Sequence, residues 1–194
     1  ITVTYSGDCY GDQDLVLTFD EDQGGTAYDA TSNANDGSES GTDRVICAFG
    51  NAAVFDGSAD ITVPHSGKFS SSARFTADFW YRSDSTAAQE VIFHKGTFNY
   101  GCAGLGDDLY CAVMDTAGDT HTAVAYGVND GAWHHVAVVF NTTYLRLYVD
   151  GAVQDRVTVG VAAATNTDDL YFGGYQGVSG YEWTGDLDHF RFDD

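Results

Sequence analysis

The sequence predicts an all-β protein, a two-sheet antiparallel β-sandwich, on three observations. Short runs of alternating apolar and polar residues recur at 15–19, 52–56, 73–82, 90–95, 108–114, 120–126, 134–140, 144–150 and 169–174, the period of half-buried strands. Turn signals separate them, among them NDG at 35–37 and 129–131 and VDG at 149–151, where Asn, Asp and Gly reverse the chain cheaply. No window joins helical periodicity to helix-forming residues. Short strands joined by short turns favour antiparallel layers packed face to face.

In chain order, LVLTF at 15–19 is the first strand, and the segment from Asp20 to Asp43 is the longest stretch without strand character. Loops of that length are usually functional or organised by a metal. AAVFD, ARFTADFWYR and EVIFHK follow as strands. In GCAGLGDDLYC the glycines and aspartates read as a turn between two short strands, which brings Cys102 and Cys111 close enough to bridge. HVAVVF and LRLYVDG flank the polar turn NTTY and make a hairpin. Asn141-Thr142-Thr143 is a formal glycosylation acceptor, although Asn is also a common turn residue.

At 194 residues the chain suits one domain, 1–194. A 43% apolar fraction with 14% aromatics and a single proline argues for a folded core. No stretch of about 18 apolar residues offers a membrane span. ITVTYSG lacks the features of a signal segment, so the chain is expected to be a piece of a larger multidomain protein. The formal charge of −21 works against nucleic acid or an anionic membrane as partner. All acidic residues except Glu21, Glu39, Glu90 and Glu182 are aspartate, which points to salty surroundings where ions screen self-repulsion. Four cysteines suggest two disulfides in an oxidising, extracellular compartment, with three pairings open. If Cys102 pairs with Cys111, Cys9 pairs with Cys47 by elimination. No Cys/His cluster has zinc spacing.

Together the segments resemble the laminin-G-like jelly-roll family of concanavalin A-like lectin/glucanase domains. The ordered pieces include LVLTFDEDQGGTAYDATSNANDG, AAVFDGSADITVP, FTADFWYR, GAWHHVAVVF, LRLYVDGAVQ and TGDLDHFRF, and the match runs from Leu15 to Phe192. The departures are the segment before Leu15, the cysteine pairs and the aspartate enrichment. The resemblance implies two stacked, curved antiparallel sheets and a calcium ion near the chain ends, in extracellular proteins that bind glycans or other proteins. It also implies core positions for Trp80 and Trp133.

Glycosidases of this fold carry an E-x-D-x-x-E pattern that sets carboxylates on one strand face. The pattern is absent, and Asp186 and Asp188 share a face without a glutamate, so no catalytic residue is expected. Adjacent His134 and His135 point to opposite faces of a strand and cannot converge on one ligand. Pyranose rings call for exposed aromatic faces beside short polar side chains. YQGVSGYEW at 175–183 offers Tyr175, Tyr181 and Trp183, and GTFNYG at 96–101 adds Phe98 and Tyr100. Calcium takes six to eight oxygens, which FDEDQGGTAYDATSNANDG supplies densely. Its expected ligands there are Asp20, Asp22, Asp29, Asn35 and the Gly37 carbonyl, and the resemblance adds Asp188 of the final strand. The competing reading is an acidic turn in which Asp29 and Asn33 merely bond nearby amides. The expected function is a non-catalytic carbohydrate-recognition or adhesion module with a structural calcium ion. The alternatives are a protein-binding spacer and a glucanase-related hydrolase.

Overall fold

The computed structural model describes residues 12–47 and 50–194. Its strands are, in chain order, β1 (Leu15–Leu17), β2 (Thr26–Ala27), β3 (Gly37–Ser40), β4 (Asp43–Cys47), β5 (Gly50–Asp56), β6 (Asp60–Val63), β7 (Arg74–Arg82) and β8 (Glu90–Lys95). They continue with β9 (Tyr100–Leu105), β10 (Asp108–Met114), β11 (Thr120–Ala125), β12 (His134–Asn141), β13 (Tyr144–Val149), β14 (Ala152–Thr158), β15 (Leu170–Phe172) and β16 (Thr184–Asp193). The first sheet runs β14-β13-β12-β7-β16-β5-β4, with β1 also paired to β16. The second runs β11-β10-β9-β8-β15-β6-β3-β2. All strand pairs are antiparallel, and the two sheets enclose one core, so the all-β sandwich expected from the sequence is the fold.

Alternation decides what enters that core. In β7 the side chains of Phe75, Ala77, Phe79 and Tyr81 point in and are buried, while those between them are only partly covered. Phe79, Phe93, Phe172 and Phe190 meet across the layers, with Phe93 and Phe190 centroids 5.0 Å apart. Such ring pairs contribute about 0.5–1.5 kcal/mol beyond their buried area. Trp80, expected in the core, falls on the outward phase of β7 and packs on His135. Trp133 likewise lies half-buried on the outside, beneath the Arg82 guanidinium at 5.2 Å. The expectation for both tryptophans is therefore corrected: the period-two register overrides side-chain size.

Cys102 and Cys111 face each other across β9 and β10 and form a disulfide. Cys9 lies outside the described residues, and so does any pairing of it with Cys47. His134 and His135 diverge as adjacent strand residues must: His134 meets Asp150 and Asp130, and His135 meets Asp78. Asn141 closes the β12–β13 turn, its Oδ1 accepting the amides of Thr143 and Tyr144.

Candidate functional site

The outer face of the second sheet carries a cluster of rings. Leu170 and Phe172 of β15 point into the core, so Tyr171 between them points out. It stacks on His94 of β8, with centroids 5.1 Å apart. Tyr175 lies parallel to His94 at 4.6 Å and 2°. Phe98 lies parallel to both, 6.0 Å from His94 and 6.4 Å from Tyr175. Tyr181 leans against Tyr175 at 6.0 Å. His94 is 1% exposed; its Nδ1 donates to the Gly96 carbonyl at 2.6 Å, and its buried Nε2 has no protein partner. Burial holds the imidazole below its ordinary pKa, against the opposing pull of the Gly96 carbonyl. It is therefore neutral, with an acceptor lone pair on Nε2.

Two local devices fix these rings. The β8–β9 turn needs Gly96 at φ +55°, because a Cβ there would stand 1.9 Å from the Asn166 amide. Below the turn, fully buried Lys95 donates to Asn166 Oδ1 at 3.1 Å and to the Asp168 carbonyl, and its Nζ lies 3.2 Å from His65 Nδ1. Asn166 in turn donates to Asn99 at 2.7 Å. This pinned turn holds Phe98 at φ +71°, a backbone state that costs a non-glycine residue roughly 1 kcal/mol or more. The second device is the loop from Gly173 to Trp183, whose ends meet through the Trp183 amide on the Gly173 carbonyl at 2.9 Å. Gly173, at φ +89°, leaves no room for a Cβ between the Ala59 carbonyl and the Phe55 ring. The Tyr181 carbonyl accepts from Val91, which ties the loop to β8.

Cavities open above the rings. One of about 560 Å³ is lined by Asp60, Thr62, Tyr171, Tyr175, Gln176 and Glu182, among others. A second, of about 350 Å³, is lined by Gln89, Val91, Phe98, Tyr175, Val178 and Tyr181. Partial burial raises the Asp60 pKa. The combination of flat rings, short hydroxyl and amide side chains and no cation suits an uncharged, hydroxyl-rich ligand.

Of the five aromatic residues expected to contact ligand, Phe98, Tyr175 and Tyr181 are brought together here. The other two require correction. Tyr100 begins β9 on its inward phase, 3% exposed, packed on Phe75 and Phe192, with its hydroxyl donating to the Phe69 carbonyl. Trp183 is 1% exposed against Phe55 and anchors the loop base. Sequence reasoning gave His94 only a partly buried structural role and missed Tyr171. For Tyr171 the alternation between core Leu170 and Phe172 was the signal that could have found it, while β8 is buried from Val91 to Lys95 with a register shift before Phe93 and offers no such signal.

The residues proposed for calcium divide into two groups. Asp29 Oδ1 accepts the amides of Val16 and Thr31, and Oδ2 accepts the Thr31 hydroxyl and the Asn35 amide. Four bonds fill a carboxylate's capacity, so Asp29 is corrected to a loop-organising residue. Asn35 donates to the Asp14 carbonyl in the same knot, and Gly37 pairs with Ala27. Asp20 and Asp188 lie elsewhere, at one corner. A hydrogen bond to Asp188, with the charges of Asp188 and Asp20, lifts His189 above its ordinary pKa. Asp188 is fully buried, with Cys47 Sγ 3.0 Å from its Oδ2. A Cβ on Gly50 would stand 1.8 Å from Asp20 Oδ1, so the backbone passes directly over that carboxylate. Asp22 is exposed in the same loop. Among the described residues no three His, Cys, Asp or Glu side chains form a metal-holding group. A hard cation here would take two carboxylates and complete its shell from carbonyls and water, a donor set that fits calcium.

The family model for the Concanavalin A-like lectin/glucanases superfamily matches residues 55–194. No curated protein matches the chain. Several solved structures share its fold. The binding domain of Paraclostridial Mosquitocidal Protein 1 aligns with a TM-score of 0.79 at 15% identity, over 94% of this chain and 48% of that one. Domain 4 of AbnA, an extracellular arabinanase from Geobacillus stearothermophilus in complex with arabinotriose, aligns at 0.71 and 17%, over 94% and 92%. The binding domain of botulinum neurotoxin DC in complex with SialylT aligns at 0.71 and 12%, over 94% and 48%. The chain thus spans about half the length of these two binding domains.

Proposed function

We propose that this chain, which belongs to the concanavalin A-like lectin/glucanases superfamily, is a non-catalytic carbohydrate-binding module whose site is the ring cluster on the second sheet. The observation that carries the reading is the parallel set of Phe98, His94 and Tyr175: Phe98 and Tyr175 line one cavity with Gln89 and Tyr181, and Tyr175 also lines the neighbouring cavity with Ser58, Thr62 and Ser179. Sugar rings present apolar faces to such planes and hydroxyls to their surroundings. The arabinotriose-bound and SialylT-bound neighbours support glycan as the ligand class. A glycan array with the purified chain tests the reading. Tyr175→Ala should weaken binding about tenfold, a loss of ~1.4 kcal/mol, with little change in melting temperature because Tyr175 is only half-buried. No new reducing ends should appear on incubation with the bound glycan. Glycan binding by folded Tyr175→Ala as tight as that of the unaltered protein would disprove the site.

The setting we propose is extracellular, in a multidomain or surface-attached protein, supported by the Cys102–Cys111 disulfide and by neighbours that are parts of longer chains. We also propose a structural calcium ion held by Asp20 and Asp188, clamping the first loop to the last strand. It would raise stability by mass action without touching the glycan. Restoring calcium to chelated protein at constant ionic strength should raise the melting temperature, and Asp188→Ala should abolish that gain. An equal gain in both proteins removes Asp188 from the site.

A further inference from the structure

The cavities on the second sheet form one track. The first shares Tyr175 and Val178 with the second, and the second shares Gln89 and Phe98 with a third of about 350 Å³. The third is lined by Ala103 and Leu105 of β9, Tyr110 and Ala112 of β10, and Thr120 and Thr122 of β11. The track therefore crosses β6, β15, β8, β9, β10 and β11, which are neighbours in that order. Five intervals of about 4.8 Å give a span of roughly 24 Å, much longer than one sugar ring.

The floor changes character along this path. At one end it is built of Tyr171, Tyr175 and Phe98; beyond Phe98 it drops to Ala103 and Ala112, with Tyr110 half-buried beside them and threonine hydroxyls past it. A low shelf between separated rings suits a chain that lies flat and continues through. No Lys, Arg or His lines any of the three cavities, and Asp60 and Glu182 are their only charged groups. In a chain of net charge −21, an anionic polymer laid along the track would meet repulsion with no compensating partner.

We propose that the track holds an internal segment of a linear, uncharged polysaccharide, several sugar rings long, and does not cap the end of a branched or anionic glycan. The inference rests on the glycan-binding reading and narrows it. Calorimetric titration of the whole chain tests it, with oligomers from disaccharide to hexasaccharide of arabinan, mannan, xylan and β-glucan. A sialylated trisaccharide and a heparin-derived hexasaccharide form the anionic arms, at low and high ionic strength. In at least one neutral series the hexasaccharide should bind about tenfold or more tighter than the disaccharide, ~1.4 kcal/mol. Tyr110→Ala, at the far end, should erase most of that advantage. A disaccharide bound as tightly as its hexasaccharide, or an anionic arm bound above every neutral one at low salt, overturns the track and leaves glycan recognition standing. No binding in any arm overturns both. The length series uses the unaltered protein, so it decides the question even if Tyr110→Ala misfolds.

Discussion

His94 is held neutral where an exposed imidazole would titrate. Burial lowers its folded pKa below the ordinary value of about 6.5, while the unfolded chain keeps that value. As pH falls through about 6.5 the unfolded state takes up the proton first, so stability present above that pH is lost on acidification until the folded pKa is reached. The melting temperature should therefore fall more steeply between pH 7 and about 5.5 in the native protein than in His94→Leu. Proton NMR should place the His94 titration below that of a free imidazole, and a titration at or above it would refute the account. The same residue shows what the sequence conceals. His94 stands in a run, VIFHK, that is buried throughout and shifts register before Phe93, so no alternation marks its phase, and the ring that covers it arrives from Tyr175, some eighty residues on. Trp183 and Tyr100 show the converse: they look exposed in glycine-rich segments, and only the contacts with Phe55, Phe75 and Phe192 reveal them as core.

At the scale of elements, the strands that alternate around large side chains were legible, and those that do not were missed. β7, β12 and β13 each bury every second residue, and β10 does so up to Cys111, after which Ala112 and Val113 are buried as well. β14 is mostly exposed along its length, an edge strand with no inward stripe to detect. β3, GSES, has no apolar stripe to detect; besides its backbone pairing with β2 and β6 it is held by Glu39, which accepts from the Gly25 amide, the Thr42 hydroxyl and Arg44. β9, YGCAGL, is mostly small residues and was legible only through the glycine- and aspartate-rich turn that follows it; Gly101 is required because a Cβ there would meet the Phe93 carbonyl at 2.3 Å. The Cys102–Cys111 disulfide cross-links β9 to β10, the hairpin that carries the far half of the track. Closing a loop of this size contributes about 2.5 kcal/mol in the chain-entropy model. Cys102→Ala with Cys111→Ala should lower unfolding free energy by about that amount, measured by urea denaturation, with the m-value equal or slightly raised as the uncrosslinked unfolded chain expands. The hexasaccharide advantage should shrink with it, because β9 and β10 then lose their cross-link beneath Tyr110.

At the scale of the molecule, the aspartates serve two purposes that composition alone merges. Asp29, Asp56, Asp115 and Asp130 each accept the amide of the residue two positions on, a turn-forming use that the longer glutamate performs less well. Part of the aspartate enrichment is thus explained by turns. The net charge of −21 is not, because 29 carboxylates stand against eight Lys and Arg, four of which are paired with carboxylates. Arg44 is buried between Glu21 and Glu39, Arg82 meets Asp186, Arg191 meets Asp78 and Lys68 meets Asp14. Salt screens exposed charges over a Debye length of about 10 Å at 0.1 M and about 3 Å at 1 M, and partly buried pairs much less. Adding it should relieve repulsion among solvent-facing carboxylates more than it weakens these pairs. The melting temperature should climb from low to molar sodium chloride. Chloride is the proper probe, since sulfate would also strengthen apolar burial and raise stability for an unrelated reason. Calcium is kept at one fixed concentration throughout, so that the ion proposed at Asp20 and Asp188 adds no trend of its own. A flat or falling midpoint would show that the turn role accounts for the aspartates and that the surface is not adapted to salt.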